Sequence, residues 1–270
     1  MENRHFLVFP DRLNVIAAMI LLAYALIPFV RTTPHELNFT FLGIAISFSL
    51  DFTLLISLLA AGLAAVGIDW LMRDNSQLPK RPLYPHYLLP ALTAWVIGIP
   101  LGMIEISLEW WVVFGLGTAL VLTVLISEYI SADITDARYP PALMVLTAVS
   151  FNLFLTVAIV ARGSQFRLYS LLITIVPVFA LLSLRLFHLR TGGKWNFLWA
   201  AGITLLIAQL AIGLYYLPLS PIRYGLILLG AAYALINTAV TYEAGHPLRE
   251  KIAETVVMLA VFWMLAFLLG

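Results

Sequence analysis

Apolar residues in this chain come in long runs, separated by short polar stretches rich in Arg, Pro and Gly. A helix crossing about 30 Å of hydrocarbon needs about 20 residues at about 1.5 Å each. Nine runs come close to that length or exceed it: residues 13–30, 52–72, 87–104, 110–126, 141–161, 168–189, 195–217, 224–242 and 252–270. One stretch breaks the pattern. Between Leu37 and Leu50, apolar Leu37, Phe39, Phe41, Ile44, Ile46 and Phe48 recur at every second position around Leu42-Gly43. A period of two with a central turn predicts a small extracytoplasmic β-hairpin, whose open edges could not lie within hydrocarbon. A longer, frayed second helix is the competing expectation. The predicted fold is an all-α integral membrane bundle of about nine transmembrane helices, residues 1–270 forming a single polytopic domain.

Composition sharpens this reading. Hydrophobic residues make up 62% of the 270 and charged ones 11%, against about 45–50% and about 25% in soluble domains. So much apolar surface excludes both a soluble globular domain and a disordered chain. The net charge of +1 excludes the concentrated basic surface that nucleic acid requires. With no cysteine, disulfides, thiol catalysis and Cys-ligated metals are excluded. The first run exceeds a signal-peptide core and lacks a small-residue cleavage site, so it is expected to remain as a span. Counted on alternate sides of nine spans, eleven of the fifteen Lys and Arg residues fall on one side and four on the other. This asymmetry predicts a multi-pass cell-membrane protein with a cytoplasmic amino terminus and an extracytoplasmic carboxyl terminus.

Candidate chemistry gathers in a few places. The densest polar group is the 128–138 connection, with Glu128, Asp133, Asp136 and Arg138. Asp69 comes down at the same membrane depth. Asp133 and Asp136, three apart, would share a helix face and could hold a divalent ion bridging a phosphate. Such acids bring to mind intramembrane prenyltransferases, which need a second Asp-rich cluster. The matching later loop carries Arg185, His188, Arg190 and Lys194 but no acid. The expectation is therefore that Asp133 and Asp136 sit at helix ends and pair with backbone or Arg138, with no metal site and no cofactor.

Arg185, Arg190 and Lys194 are candidates for lipid headgroup contact as well as topology signals. Glu105 and Glu109 beside Trp110 and Trp111 read as ordinary interfacial residues. Mid-membrane polar residues are few, chiefly Asn152, Gln209 and Asn237, and are expected to hydrogen-bond between helices. Small residues four apart predict close helix contacts at Ala60/Ala64, Ala61/Ala65, Gly115/Ala119 and Gly230/Ala234/Thr238. Motifs of metalloproteases, serine hydrolases and phosphate-binding loops are absent.

Four stretches, at residues 51–74, 89–102, 128–162 and 219–230, resemble an uncharacterised bacterial multi-pass membrane family known as a domain of unknown function. The resemblance spans most of the chain. It implies one domain in a bacterial inner membrane and brings no catalytic residues with it. The resulting expectation leans away from an enzyme. It is a scaffold, complex subunit or lipid-binding component whose partners are membrane lipids and other membrane subunits or further copies of itself. The alternatives are a lipid- or isoprenoid-phosphate-directed enzyme using Asp69, Glu128, Asp133 and Asp136, and a carrier for a neutral or apolar solute.

Overall fold

A computed structural model describes residues 10–29, 35–41, 44–73, 84–133, 135–245 and 248–269. These contain nine α-helices, of which eight are long and apolar enough to cross a membrane. The chain divides into two compact units, Met1–Leu146 and Thr147–Gly270.

The first unit contains α1 (Pro10–Leu26), α2 (Phe52–Arg73), α3 (Leu88–Met103), α4 (Leu108–Ser131) and the first turns of α5 (Tyr139–Gly163). Between α1 and α2 run two strands, β1 (His35–Phe41) and β2 (Ile44–Leu50), paired antiparallel. Their register sets Leu37 opposite Phe48, Phe39 opposite Ile46 and Phe41 opposite Ile44. The predicted Leu42-Gly43 turn lies outside the described residues, as does most of the 76–85 connector. The core is built from Ile16, Ile20 and Tyr24 of α1, Ala60, Ala64 and Ile68 of α2, Ala94 and Leu101 of α3, and Trp110 and Leu125 of α4. Two aromatic side chains fasten it. The Tyr24 hydroxyl donates to the Ala94 carbonyl at 2.7 Å, and the Trp110 indole donates to the Leu101 carbonyl at 3.0 Å. Leu101 lies in the last turn of α3, where carbonyls have no partner within the helix.

Glycine sets the spacing of α2 and α3. A Cβ on Gly98 would overlap Ser57, lying 2.6 Å from its Cβ, and one on Gly102 would overlap Thr53. Gly98 and Gly102 form a G-x-x-x-G pair facing Thr53 and Ser57, so the two backbones approach as only small residues permit. Gly117 meets Ile97 and Gly67 meets Ile16 in the same manner, at 2.5 and 2.6 Å for an added Cβ. The predicted Ala60/Ala64 contact is present, both residues being fully buried. Gly115 and Ala119 are exposed and Ala61 and Ala65 only half-buried, so these pairs are not tight contacts.

The second unit holds the rest of α5 with α6 (Leu168–Arg190), α7 (Phe197–Tyr215), α8 (Pro221–Glu243) and α9 (Leu248–Leu268). Gly225 fits against Leu155 and Ile159 of α5, and Gly230 against Leu259, Phe262 and Trp263 of α9. Phe154 of α5 packs on Phe179 of α6 at 4.6 Å between centroids. The first turn of α9 carries Arg249, Glu250 and Lys251. Its apolar part is therefore the shorter stretch Ile252–Leu268.

Two predicted boundaries moved for physical reasons. The fourth run stops at residue 126 in the sequence, yet α4 continues to Ser131 because Ser127, Glu128 and Ser131 turn inward and are buried. It also begins earlier, at Leu108, capped by the Ser107 hydroxyl, which accepts from the Trp110 N–H at 3.4 Å. Tight packing at Gly98 gives a direct test. Gly98→Ala is expected to destabilise the protein by about 1–3 kcal/mol through overpacking, read as a lower melting temperature in detergent. Gly62→Ala and Gly115→Ala, where nothing lies within 4 Å, should melt as the parent does. Ser57→Gly should restore part of the loss in the Gly98→Ala background.

Candidate functional site

The acidic candidates all belong to the first unit, and each has a defined local role. The segment before α3 places two polar residues in succession, His86 and Tyr87. His86 Nδ1 lies 2.7 Å from Glu128 Oε2. Tyr87 donates its hydroxyl to Asp69 Oδ1. One short turn thus reaches an acid on α4 and another on α2. Asp69 also pairs with Arg73, one turn further along α2, with Nε–Oδ2 at 2.6 Å. Glu128 is fully buried, and the Ser131 hydroxyl lies 3.4 Å from its Oε2 while donating to its backbone carbonyl at 3.0 Å. A buried carboxylate needs such partners, because leaving one unpaired costs several kcal/mol.

Asp133 and Asp136 do not share a helix face. Helix α4 ends at Ser131 and α5 starts at Tyr139, and none of the described residues between them is helical. Asp133 Oδ1 accepts from the Thr135 N–H at 2.9 Å and the Thr135 hydroxyl at 2.6 Å. Asp136 takes Arg138 in a fork, with Nε–Oδ1 at 3.1 Å and Nη2–Oδ2 at 2.8 Å, and accepts the Arg138 backbone N–H at 2.8 Å. Aspartates that bond to a backbone N–H two residues on favour turns over helix, which explains the break. The hydrogen bond from Arg138 holds the Asp136 carboxyl below its ordinary range, and Arg138 is raised in return. Among the described residues, no group of three or more His, Asp or Glu side chains is arranged to hold a metal ion.

The basic edge in the second unit also differs from expectation. Arg185 is fully buried, with Nη1 3.0 Å from His188 Nδ1. Arg190 reaches inward and donates to Asn237 Oδ1 at 2.8 Å, and Asn237 Nδ2 donates to the Thr255 hydroxyl at 2.7 Å. That chain joins α6, α8 and α9. Of the three candidates only Lys194 is exposed. Asn237 forms the interhelical bonds expected of it, whereas Asn152 and Gln209 are exposed. The residues missed by sequence reasoning are His86 and Tyr87. Their signal was available: two polar residues at the end of an apolar run, level with two acids that needed partners.

Long apolar helices with inward polar links define a multi-pass α-helical membrane protein. Its family model is that of a protein of unknown function (DUF5656), matched over residues 32–269, and the chain belongs to this family. All four stretches that carried the resemblance lie inside the match. Neither the curated proteins nor the solved structures gave a match.

Two outcomes follow from this geometry. Glu128→Ala and His86→Ala should each destabilise the protein by about 1–3 kcal/mol, since each removes one side of a contact to the fully buried Glu128 carboxyl. Their double variant should fall short of the sum by more than about 1 kcal/mol in a thermal double-mutant cycle; additive losses would mean the pair is not coupled. The Asp136 link is sensitive to acid. A depressed carboxyl contributes its stabilisation above the unfolded value near about 4 and loses it as pH falls through the folded value. Amide exchange at Arg138 and Tyr139 should therefore accelerate as pH drops below about 4, relative to intrinsic rates. Asp136→Asn should remove that pH dependence.

Proposed function

We propose that this protein is a non-enzymatic, multi-pass membrane component, a scaffold or subunit of a larger membrane assembly. One observation carries the reading. Every carboxylate in the densest acidic region is bonded to a structural partner: Asp69 to Tyr87 and Arg73, Glu128 to His86, Asp133 to Thr135, Asp136 to Arg138. Groups held this way tie helix ends together and are poorly placed to converge on a divalent ion that would bridge a substrate phosphate. The partners this reading requires are other membrane subunits or further copies of the chain. The family match crosses the boundary between the two units, which supports treating residues 1–270 as one polytopic domain.

In this reading the amino terminus is cytoplasmic, the carboxyl terminus extracytoplasmic, and the β1–β2 hairpin lies on the outer face. The Lys and Arg distribution supports that orientation when α9 crosses the membrane. All 21 residues of α9 give about 31 Å of helix at 1.5 Å per residue, close to the thickness of the hydrocarbon core. A reporter fused at the carboxyl terminus should then read extracytoplasmic, and one inserted in residues 74–83 cytoplasmic. Mildly solubilised membranes should yield a species larger than the 30.0 kDa chain in its micelle. Asp133→Asn and Asp136→Asn should leave that species intact. Turnover of a lipid phosphate by the purified protein in nanodiscs, lost in those two variants, would overturn the scaffold reading in favour of an enzyme.

A further inference from the structure

We propose that the end of the second unit formed by residues 162–167 and 217–223 binds a phosphate group, carried by a lipid headgroup or free in solution. The acids of this unit are Glu243, Glu250 and Glu254, all around the α8–α9 connection. At the opposite helix ends stand Arg162, Arg167 and Arg223, with no acid in either connecting segment. The two segments are joined. Arg162 Nη2 donates to the Leu217 carbonyl at 3.1 Å, and the Tyr215 hydroxyl donates to the Phe166 carbonyl at 3.3 Å. The Arg162 guanidinium carbon also lies 5.3 Å from the Tyr215 ring centre and 5.7 Å from that of Tyr224, which sets the cation beside two aromatic rings. Pro221 at the start of α8 lies 3.8 Å from where a Cβ on Gly163 would be. All three arginines therefore come from one linked set of helix ends.

These arginines have no anionic partner among the described residues. Among the described residues none of the three forms an ion pair, and Arg223 Nε is buried with no hydrogen-bond partner. Two of them sit where helix electrostatics disfavours a cation. Arg167 is the N-cap of α6, without a side-chain cap bond, and Arg223 lies in the first turn of α8. Helix N-termini carry positive partial charge, which repels arginine and attracts phosphate. One anion at this end answers both conditions, and planar guanidinium forks suit phosphate oxygens.

The test uses the full-length protein in detergent and native mass spectrometry, with phosphatidylglycerol, diacylglycerol of the same chains, and inorganic phosphate. Phosphatidylglycerol should be retained and diacylglycerol should not. Each Arg→Gln change should weaken retention about fivefold. The Arg167→Gln variant guards against misfolding, because that side chain is exposed, and its melting temperature should match the parent. Displacement of the lipid by millimolar inorganic phosphate would support the site and assign it to phosphate itself; no displacement would support it as a headgroup site. Equal retention of both lipids, or unchanged retention in Arg167→Gln and in Arg162→Gln/Arg223→Gln, would overturn the proposal. That outcome leaves the scaffold reading untouched, since the scaffold reading rests on the carboxylates of the first unit.

Discussion

Within hydrocarbon, an apolar side chain gains little by exchanging lipid for another helix, so helix association depends on how closely backbones approach and on buried polar groups finding partners. The contact of α2 with α3 shows the first condition in its strictest form. At Gly98 there is no room for a methyl group beside Ser57, and the same holds at Gly102 beside Thr53. Close approach at these two positions brings Ala60 and Ala64 into the core and lets Tyr24 of α1 reach the Ala94 carbonyl. A larger residue in the seam would separate α2 from α3 and strand that hydroxyl as well.

The second condition accounts for where the polar residues went. Most hydroxyls in the helices are satisfied locally by the carbonyl one turn back, as for Ser57, Thr93, Thr118, Thr204 and Thr241. They therefore contribute little to the choice of neighbouring helix. Longer polar side chains make that choice. His86 ties the turn before α3 to α4, Tyr87 ties it to α2, and the Arg190–Asn237–Thr255 chain links α6, α8 and α9. Each link costs desolvation that only a well-placed partner offsets, so it disfavours other packings of the same helices.

This division explains what was legible in the sequence. Long apolar runs report helices directly, and α2, α6 and α8 begin and end within a few residues of their expected bounds. Runs fail where a helix turns polar residues inward, as α4 does at Ser127, Glu128 and Ser131. Small residues at a spacing of four are common in so alanine-rich a chain, and the spacing alone cannot show which pairs face a neighbour. Ala60/Ala64 did and Gly115/Ala119 did not, while the G-x-x-x-G pair at Gly98 and Gly102 passed unnoticed. The acids of the 128–138 connection were recognised as one polar group. Whether they converge on a ligand or disperse onto local partners depends on turn geometry, which residue spacing does not fix.

Charge on α8 runs opposite to helix electrostatics at both ends, with Arg223 in its first turn and Glu243 at its last residue. Cations favour helix C-termini and anions N-termini, so neither charge stabilises the helix as such. The two ends are nevertheless not equivalent. Glu243 is held by the Trp199 indole, which donates to its Oε2 at 3.2 Å, so its cost is offset by a neighbouring side chain. The Arg223 guanidinium has a buried nitrogen with no acceptor among the described residues, and Arg167 stands at the start of α6 without a side-chain cap bond, in the same linked set. Internal stability alone would favour a neutral or acidic residue at both positions. Positive charge at both, in helix ends linked to that of Arg162 and far along the helices from the acids of the unit, is accounted for when the missing partner is an anion from outside the chain.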